Sequence, residues 1–139
     1  MNYKYASTLL ELHQTHQILI SLGSYYSEFS SWYWNKVVPN VILRLDKVIM
    51  AYNRGSLVGI SIIKKGNENK LRVLRIEPKY QKKGYGLHLI DKSLEILECD
   101  KPLVSVSEDM LHQFLRIFIN RYQFDMTYVY KGLYIYQIN

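Results

Sequence analysis

The stretch RIEPKYQKKGYGLHLIDKSLEIL, residues 75–97, constrains the fold more than any other part of the sequence. The apolar run before it predicts a strand, about Leu71–Glu77, that ends at Pro78 because proline removes a ladder donor. A basic turn with two glycines follows, and apolar residues then recur at helical spacing from Leu87 to Leu97. A short apolar run, LVSVS at 103–107, comes next. The two strands are therefore joined by a helical crossover and should be parallel.

The other apolar patterns predict elements on both sides of this crossover. A first helix is expected over about 6–22, and a second follows Ser24 until Pro39 prevents its continuation. An antiparallel meander of three strands ends at Glu77, while NVILRL before it is ambiguous between strand and helix. A late helix capped by Ser107 and a terminal hairpin with a tight turn at 131–132 complete the chain.

These elements predict an α/β (α+β) fold in the order α-α-β-β-β-α-β-α-β-β. Its central mixed sheet is mostly antiparallel, with a parallel β-α-β crossover and flanking helices. The 139 residues, 48% hydrophobic, suffice for one core, so we expect a single domain over 1–139. The first residues lack the continuous apolar core of a signal peptide or a membrane span, and Cys99 has no partner for a disulfide. A cytoplasmic protein without a membrane segment is the simplest expectation.

The turn Gln81-Lys82-Lys83-Gly84-Tyr85-Gly86 joins a strand to a helix N-terminus, where main-chain N–H groups have no internal partners. Such groups attract an anion, and both glycines are expected to permit positive φ and close approach of a phosphate. The net charge of +6 also favours polyanionic partners. An ordinary β-to-α turn is the alternative. A P-loop is disfavoured because no Gly-Lys-Ser/Thr follows, and a dinucleotide fingerprint because Leu89 replaces its third glycine.

On these residues the chain resembles the GNAT superfamily of N-acetyltransferases. IEPKYQKKGYG matches the family's hydrophobic-x-Pro-x-Tyr/Arg-Gln/Arg-x-x-Gly-x-Gly pattern nearly position for position, and the order of elements agrees over most of the chain. The resemblance implies a GNAT-like fold and an acyl-CoA site in which the pyrophosphate lies on main-chain amides and the pantetheine amides pair with the strand near Ile76. The implied cofactor-binding residues are Leu74, Ile76, Gln81, Lys82, Lys83, Gly84, Tyr85, Gly86 and Leu87.

Acetyl transfer to an amine needs a neutral amine, a donor for the developing oxyanion and a proton for the leaving thiolate. By resemblance the oxyanion donor is the N–H of Ile76. Glu77 is the candidate base, with an exposed carboxylate paired to a neighbouring cation as the alternative. Family members often place a tyrosine acid four residues before a Gly-Phe. If Gln123-Phe124 stands for that Gly-Phe, Ile119 occupies the tyrosine position here. Tyr122 is the substitute candidate, with a core role as the alternative.

The acceptor side is less defined. In this family the first two helices commonly shape the acceptor site, so the resemblance implies Tyr26, Trp32 and Tyr33 as acceptor-binding residues. Ser107, at the end of the neighbouring strand, is a further candidate for orienting the substrate, with a helix N-cap as the alternative. The 13 tyrosines and 2 tryptophans serve equally well as core or as the interface of a homodimer. The histidines of HQTH have the spacing of a metal pair, yet no third ligand is evident, so we predict no metal site.

The sequence therefore predicts an acyl-CoA-dependent N-acetyltransferase that moves an acetyl group from acetyl-CoA to a primary amine by direct transfer. The amine acceptor stays open between a small molecule, a peptide and aminoacyl-tRNA. The last would make the protein a GNAT-type toxin, and its binding should then fall steeply with salt. A catalytically weak acetyl-CoA-binding module is the alternative from another class, because Ile119 replaces the usual acid.

Overall fold

The computed structural model describes residues 1–21, 28–107, 120–123, 125–130 and 133–137. Seven strands and four α-helices lie in this part of the chain. Their order is β1 (Asn2–Tyr5), α1 (Leu9–Ser21), α2 (Phe29–Trp32), α3 (Val38–Ile42), β2 (Asp46–Asn53), β3 (Ser56–Lys64), β4 (Lys70–Ile76), α4 (Tyr85–Leu97), β5 (Leu103–Ser107), β6 (Asp125–Tyr130) and β7 (Leu133–Gln137).

The strands form one sheet in the order β1-β2-β3-β4-β5-β7-β6. Every neighbouring pair is antiparallel except β4 and β5, which run parallel and are joined by α4. The predicted fold class, with its meander, parallel crossover and terminal hairpin, is confirmed. The late helix, apart from its last residues, and the tight turn at 131–132 fall outside the described residues.

The N-terminal strand β1 was not predicted. Asn2 to Tyr5 pair with Tyr52 to Ile49 of β2 and form one edge of the sheet. The first helix consequently begins at Leu9 instead of about residue 6. Thr8 and Glu11 fix this start by exchanging hydrogen bonds: the N–H of Thr8 donates to Glu11 Oε1 at 3.1 Å, and the N–H of Glu11 donates to Thr8 Oγ1 at 3.1 Å.

The second helical segment does not end at Pro39, as the sequence had suggested. A π-helical turn, Tyr33–Val37, connects α2 to α3, and the segment continues to Ile42. Within it the N–H of Val38 donates to the carbonyl of Tyr33, five residues back. This wider turn accommodates the ring of Pro39 in the first turn of α3, where the missing N–H costs little. The ambiguous NVILRL therefore begins as helix, not strand.

Both faces of the sheet are covered, which fixes the position of the core. Along β2, Val48 and Met50 are buried against the side occupied by α1, α2 and α3, whereas Ile49 and Ala51 are buried toward α4. Ile90 and Leu97 of α4 are buried on the second face, as its predicted apolar stripe required. No helix within the described residues is long and apolar enough to cross a membrane.

Candidate functional site

Strands β4 and β5 pair only at their beginnings. The parallel ladder consists of Lys70 with Leu103 and Leu71 with Val104, and the N–H of Leu103 donates to the carbonyl of Asn69 at 2.9 Å. Beyond these pairs β4 continues to Ile76 and β5 to Ser107 without pairing to each other. The sheet therefore opens toward the carboxyl ends of both strands, the edge where ligands of α/β sheets bind.

The register of β4 shows which main-chain groups face this opening. The N–H of Glu77 donates to the carbonyl of Val58 on β3 at 2.9 Å, so this is a hydrogen-bonded pair of the antiparallel ladder. Main-chain groups alternate in direction along a strand, and the N–H and C=O of Leu74 and Ile76 therefore point away from β3. They face the side on which β5 has diverged from β4.

The turn after β4 carries a run of main-chain donors. Within the described part of the chain, none of the N–H groups of residues 82–87 has a protein acceptor, and the first bonded amide is that of His88, which donates to the carbonyl of Gly84 at 3.2 Å. These amides lie at the N-terminus of α4, where the helix dipole adds partial positive charge. Such an arrangement of donors can receive an anion.

The conformation of the turn differs in one respect from the prediction. Gly84 has a φ of 85°, as expected, but Gly86 does not have a positive φ; the second residue of the turn in the left-handed region is Lys82, at 62°. Gly86 lies within α4 and packs against β4, because a β-carbon there would stand 3.7 Å from Ile76 Cγ1. A β-carbon on Gly84 would meet no atom within 4 Å, so the space beside the amides is open.

Basic and aromatic side chains surround these donors. Lys79, Lys82 and Lys83 are exposed, and none of them forms an ion pair with any residue that the structure describes. The rings of Tyr80 and Tyr85 meet edge to face with their centroids 5.9 Å apart. The amide of Asn53 donates to the hydroxyl of Tyr85 at 2.8 Å. The turn is thus held to the β2–β3 hairpin while its lysines remain available to an anion.

The end of β4 is held closely by its neighbours. Gly59 of β3 lies opposite Ile76, and a β-carbon on Gly59 would stand 2.6 Å from Ile76 Cδ1 and 2.7 Å from the carbonyl oxygen of Arg75. The side chain of Gln81 donates from Nε2 to the carbonyl of Ile76 at 3.0 Å.

Glu77 is partly exposed and precedes a 3₁₀ turn, Pro78–Tyr80. Its carboxylate makes no ion pair with the described residues, so the predicted alternative of a pairing to a neighbouring cation is not seen.

No family model matches the chain, and no curated protein matches it. Solved structures do. A GNAT-family protein from Desulfovibrio desulfuricans superposes with a TM-score of 0.77 at 14% identity, covering 99% of this chain and 98% of that one. The PaiA N-acetyltransferase of Thermoplasma acidophilum, in complex with coenzyme A, gives 0.70 at 17%, covering 100% and 99%. A GNAT-family acetyltransferase of Elizabethkingia anophelis with acetyl-CoA bound gives 0.57 at 12%, covering 75% and 82%.

This chain has the GNAT fold. The resemblance seen in the sequence is confirmed at the level of the fold. The divergence of β4 from β5 lies beside the turn for which the sequence predicts acyl-CoA binding.

Within this GNAT fold, Tyr122 lies against the second half of α4. Its hydroxyl donates to Asp91 Oδ1 at 2.5 Å, and Arg121 Nη2 is 3.5 Å from Asp91 Oδ2. Burial, assisted by the hydrogen bond to Asp91, raises the pKa of Tyr122 to about 12. Asp91 follows Gly84 by seven positions, about 10 Å along the helix. The ring packs on the core beside α4, which agrees with the alternative core role predicted for Tyr122.

Tyr122 also lines a surface pocket of about 570 Å³ at this end of α4. The remaining lining residues are Asp91, Leu94, Glu95, Asp100, Lys101, Arg121 and Gln123. This pocket shares no residue with the glycine turn or with the opened end of β4. Ile119, at the position of the family's usual acid, falls outside the described residues.

The four residues predicted for the acceptor side lie in different environments or outside the described residues. Tyr33 is fully buried, with its hydroxyl donating to the carbonyl of Leu12 at 2.7 Å, and burial raises its pKa. Trp32 is half-buried, and its ring contacts that of Phe29 in a tilted arrangement with centroids 5.6 Å apart. Tyr26 lies outside the described residues, and Ser107 is described only by its main chain, which pairs with Leu133.

The histidines of HQTH pack against the second helical segment. His13 contacts the ring of Trp34 at 4.4 Å between centroids, and His16 Nε2 is 2.9 Å from Ser30 Oγ. No group of three or more potential metal ligands occurs among the described residues. Both imidazoles are therefore accounted for by ring contacts and a hydrogen bond.

Proposed function

We propose that this protein is an acyl-CoA-dependent N-acetyltransferase that transfers an acetyl group from acetyl-CoA to a primary amine acceptor. One observation carries the proposal: the amides of residues 82–87 have no acceptor within the described chain, and they adjoin a strand whose ladder ends early. A ligand with a diphosphate and an amide-bearing tail offers the acceptors and donors that these two features lack. That relatives of the same fold are solved with coenzyme A or acetyl-CoA supports this choice of ligand.

The residues of the site have separable tasks under this proposal. Amides from Lys83 to Leu87 hold the pyrophosphate, and Lys79, Lys82 and Lys83 attract the phosphate charge from solution. The open main-chain groups of Leu74 and Ile76 hold the tail as an added strand.

Acetyl-CoA supplies an acetyl thioester: the amine nitrogen bonds to the acetyl carbon, the C–S bond breaks, and the leaving thiolate takes a proton from solvent. Ile76 contributes its N–H to the thioester oxygen, because that donor faces the opening, whereas the N–H of Glu77 is bonded to Val58. The carboxylate of Glu77, which forms no ion pair with the residues that the structure describes, takes a proton from the amine directly or through water. Holding both reactants at the mouth of the sheet supplies much of the acceleration.

The proposal is tested by the ligand dependence of thermal unfolding. Acetyl-CoA at a hundred times its Kd should stabilise the protein by about 2.7 kcal/mol, whereas ATP and NAD at equal concentration, which can contact only the amides of the turn, should stabilise it less. Gly84→Ala should weaken the binding of acetyl-CoA, because a φ of 85° strains an alanine and shifts the neighbouring amides.

Gly55→Ala is the matched control for Gly84→Ala. Gly55 has a φ of 80°, and a β-carbon there also meets no atom within 4 Å, but Gly55 contributes no amide to the turn. Both variants should lose about 1 kcal/mol of stability, and only Gly84→Ala should lose affinity for acetyl-CoA. Absence of any stabilisation by acetyl-CoA in the unaltered protein would reject the proposal.

A second candidate function is a protein that binds acetyl-CoA without turnover. The observation that favours it is the position of Tyr122, whose hydroxyl is bonded to Asp91 and whose pKa is raised to about 12, so that it is a weak proton donor. Thioester consumption with a panel of small amines, polyamines, peptides and aminoacyl-tRNA separates the two functions. Tight binding without turnover on every acceptor would favour the binding protein.

A further inference from the structure

The side chain of Gln81 already occupies one of the main-chain groups that face the opening. Its Nε2 donates to the carbonyl of Ile76 at 3.0 Å. By contrast, the N–H of Ile76 and both main-chain groups of Leu74 have no partner in the described part of the chain. Among the main-chain groups of Leu74 and Ile76 that face the opening, the carbonyl of Ile76 therefore already has a hydrogen-bond donor within the protein.

The path of the chain produces this contact. After Glu77 the backbone makes a 3₁₀ turn, in which the N–H of Tyr80 donates to the carbonyl of Glu77 at 2.8 Å and the N–H of Gln81 to that of Pro78 at 3.2 Å. This turn returns residue 81 to the end of β4. The carboxamide then meets the carbonyl of Ile76 on the side away from β3, where the added strand of a ligand would lie.

We propose that the Gln81 carboxamide is a displaceable substitute for an amide of the ligand, an inference that rests on the proposed function. Its N–H offers the same donor as a secondary amide in an extended tail, so it satisfies the carbonyl of Ile76 while the cleft is empty. A ligand that adds a strand to β4 must displace it and replace its hydrogen bond. A nucleotide without a tail binds the turn and leaves Gln81 in place.

The consequence is selection among ligands that share a diphosphate. Only a carrier whose tail presents an amide N–H at the level of Ile76 replaces the lost bond, whereas a nucleotide contacts the amides of 82–87 alone. Gln81 therefore lowers the affinity for the complete carrier while leaving that for its nucleotide half unchanged.

Gln81→Met tests this, because methionine has a similar length and no N–H donor. Titration calorimetry with coenzyme A and with adenosine 3′-phosphate 5′-diphosphate, its nucleotide half, compares the two modes. Coenzyme A should bind about two- to tenfold more tightly to the variant, the equivalent of one neutral hydrogen bond, and the nucleotide should bind equally well. Gln17→Met, exposed on α1, is the matched control and should change neither affinity.

A second measurement follows the carboxamide directly. In ¹⁵N-labelled protein, the side-chain NH₂ signals of Gln81, assigned by their loss in Gln81→Met, should shift on addition of coenzyme A and stay unchanged on addition of the nucleotide. Equal loss of affinity for both ligands would mean that Gln81 shapes the turn, and unchanged affinities would mean that it does not compete; either result overturns the inference alone. Unaltered protein that binds neither ligand overturns the proposed function with it.

Discussion

At the scale of the residue, the site depends on backbone angles that its composition does not reveal. Two glycines suggested two positions of positive φ, but only Gly84 adopts one, and Lys82 adopts the other. Gly86 packs on Ile76, and a β-carbon there would stand at an ordinary contact distance of 3.7 Å from Ile76 Cγ1. The cluster of glycines and lysines predicts an anion-binding turn from the sequence, whereas which residue enters the left-handed region depends on tertiary contacts.

Single-residue burial also predicts how stability depends on pH. His16 is 8% exposed; burial against Tyr33 and Trp34 lowers its pKa below the ordinary value, and repulsion from the charged form of His13 lowers it further. The unfolded chain binds a proton on this imidazole more readily than the folded protein does. The free energy of unfolding should therefore fall as pH decreases from about 7 through the unfolded pKa of about 6.5.

Urea unfolding at pH 7.5, 6.5 and 5.5 measures this dependence. His16→Gln, which keeps an amide able to bond Ser30 Oγ and does not titrate, should flatten the slope in this window. Glu11 makes stability depend on pH only below this window, because Lys4 and the amides of Ser7 and Thr8 lower its pKa to about 2. An unchanged slope in His16→Gln would show that a group other than His16 causes the loss of stability at lower pH.

At the scale of the element, two segments show where sequence patterns fail. The edge strand β1, NYKY, is four residues long and mostly exposed, so it lacks the apolar alternation that identifies a strand. Its extended conformation depends on pairing with β2, which lies about 45 residues further along the chain. Pro39 suggested the end of a helix, but the preceding π-helical turn makes room for its ring. The meander, α4 and β5 were predictable because each carries a strong apolar period bounded by turn residues.

Strand β3 and strand β4 are held in close contact at Gly59. Gly59→Ala should destabilise the protein by about 1–3 kcal/mol, because the new methyl group would lie 2.7 Å from the main-chain oxygen of Arg75 and β4 must move. The same movement displaces Ile76, so affinity for acetyl-CoA should fall as well. Chemical denaturation and calorimetry measure the two effects.

Gly66→Ala is the control for this substitution. Gly66 has no atom within 4 Å of the position of a β-carbon and no positive φ, so its variant should remain within about 0.5 kcal/mol of the unaltered protein. Equal stability of both variants would contradict the close contact at Gly59.

At the scale of the whole molecule, the sheet consists of two sets of strands, β1 to β4 and β5 to β7, joined by two residue pairs and the crossover helix. A ligand that adds a strand between them would supply the contacts that the protein lacks there. Amide hydrogen exchange should therefore slow on addition of acetyl-CoA in peptides covering 72–76 and 103–107.

Peptides from the β2–β3 hairpin provide the internal reference for this measurement. That hairpin is fully paired without ligand, so it should gain protection only through global stabilisation. Protection spread evenly over the chain would contradict a ligand bound at the divergence of β4 and β5.

The early end of the β4–β5 ladder also orders the events of biosynthesis. Each strand up to β4 pairs only with strands that precede it or follow it directly, so residues 1–97 hold a complete antiparallel half with α4 on one face before β5 has left the ribosome. The half that forms the second wall of the cleft follows it in the chain. The turn after β4 therefore leaves the ribosome before the opposite wall does.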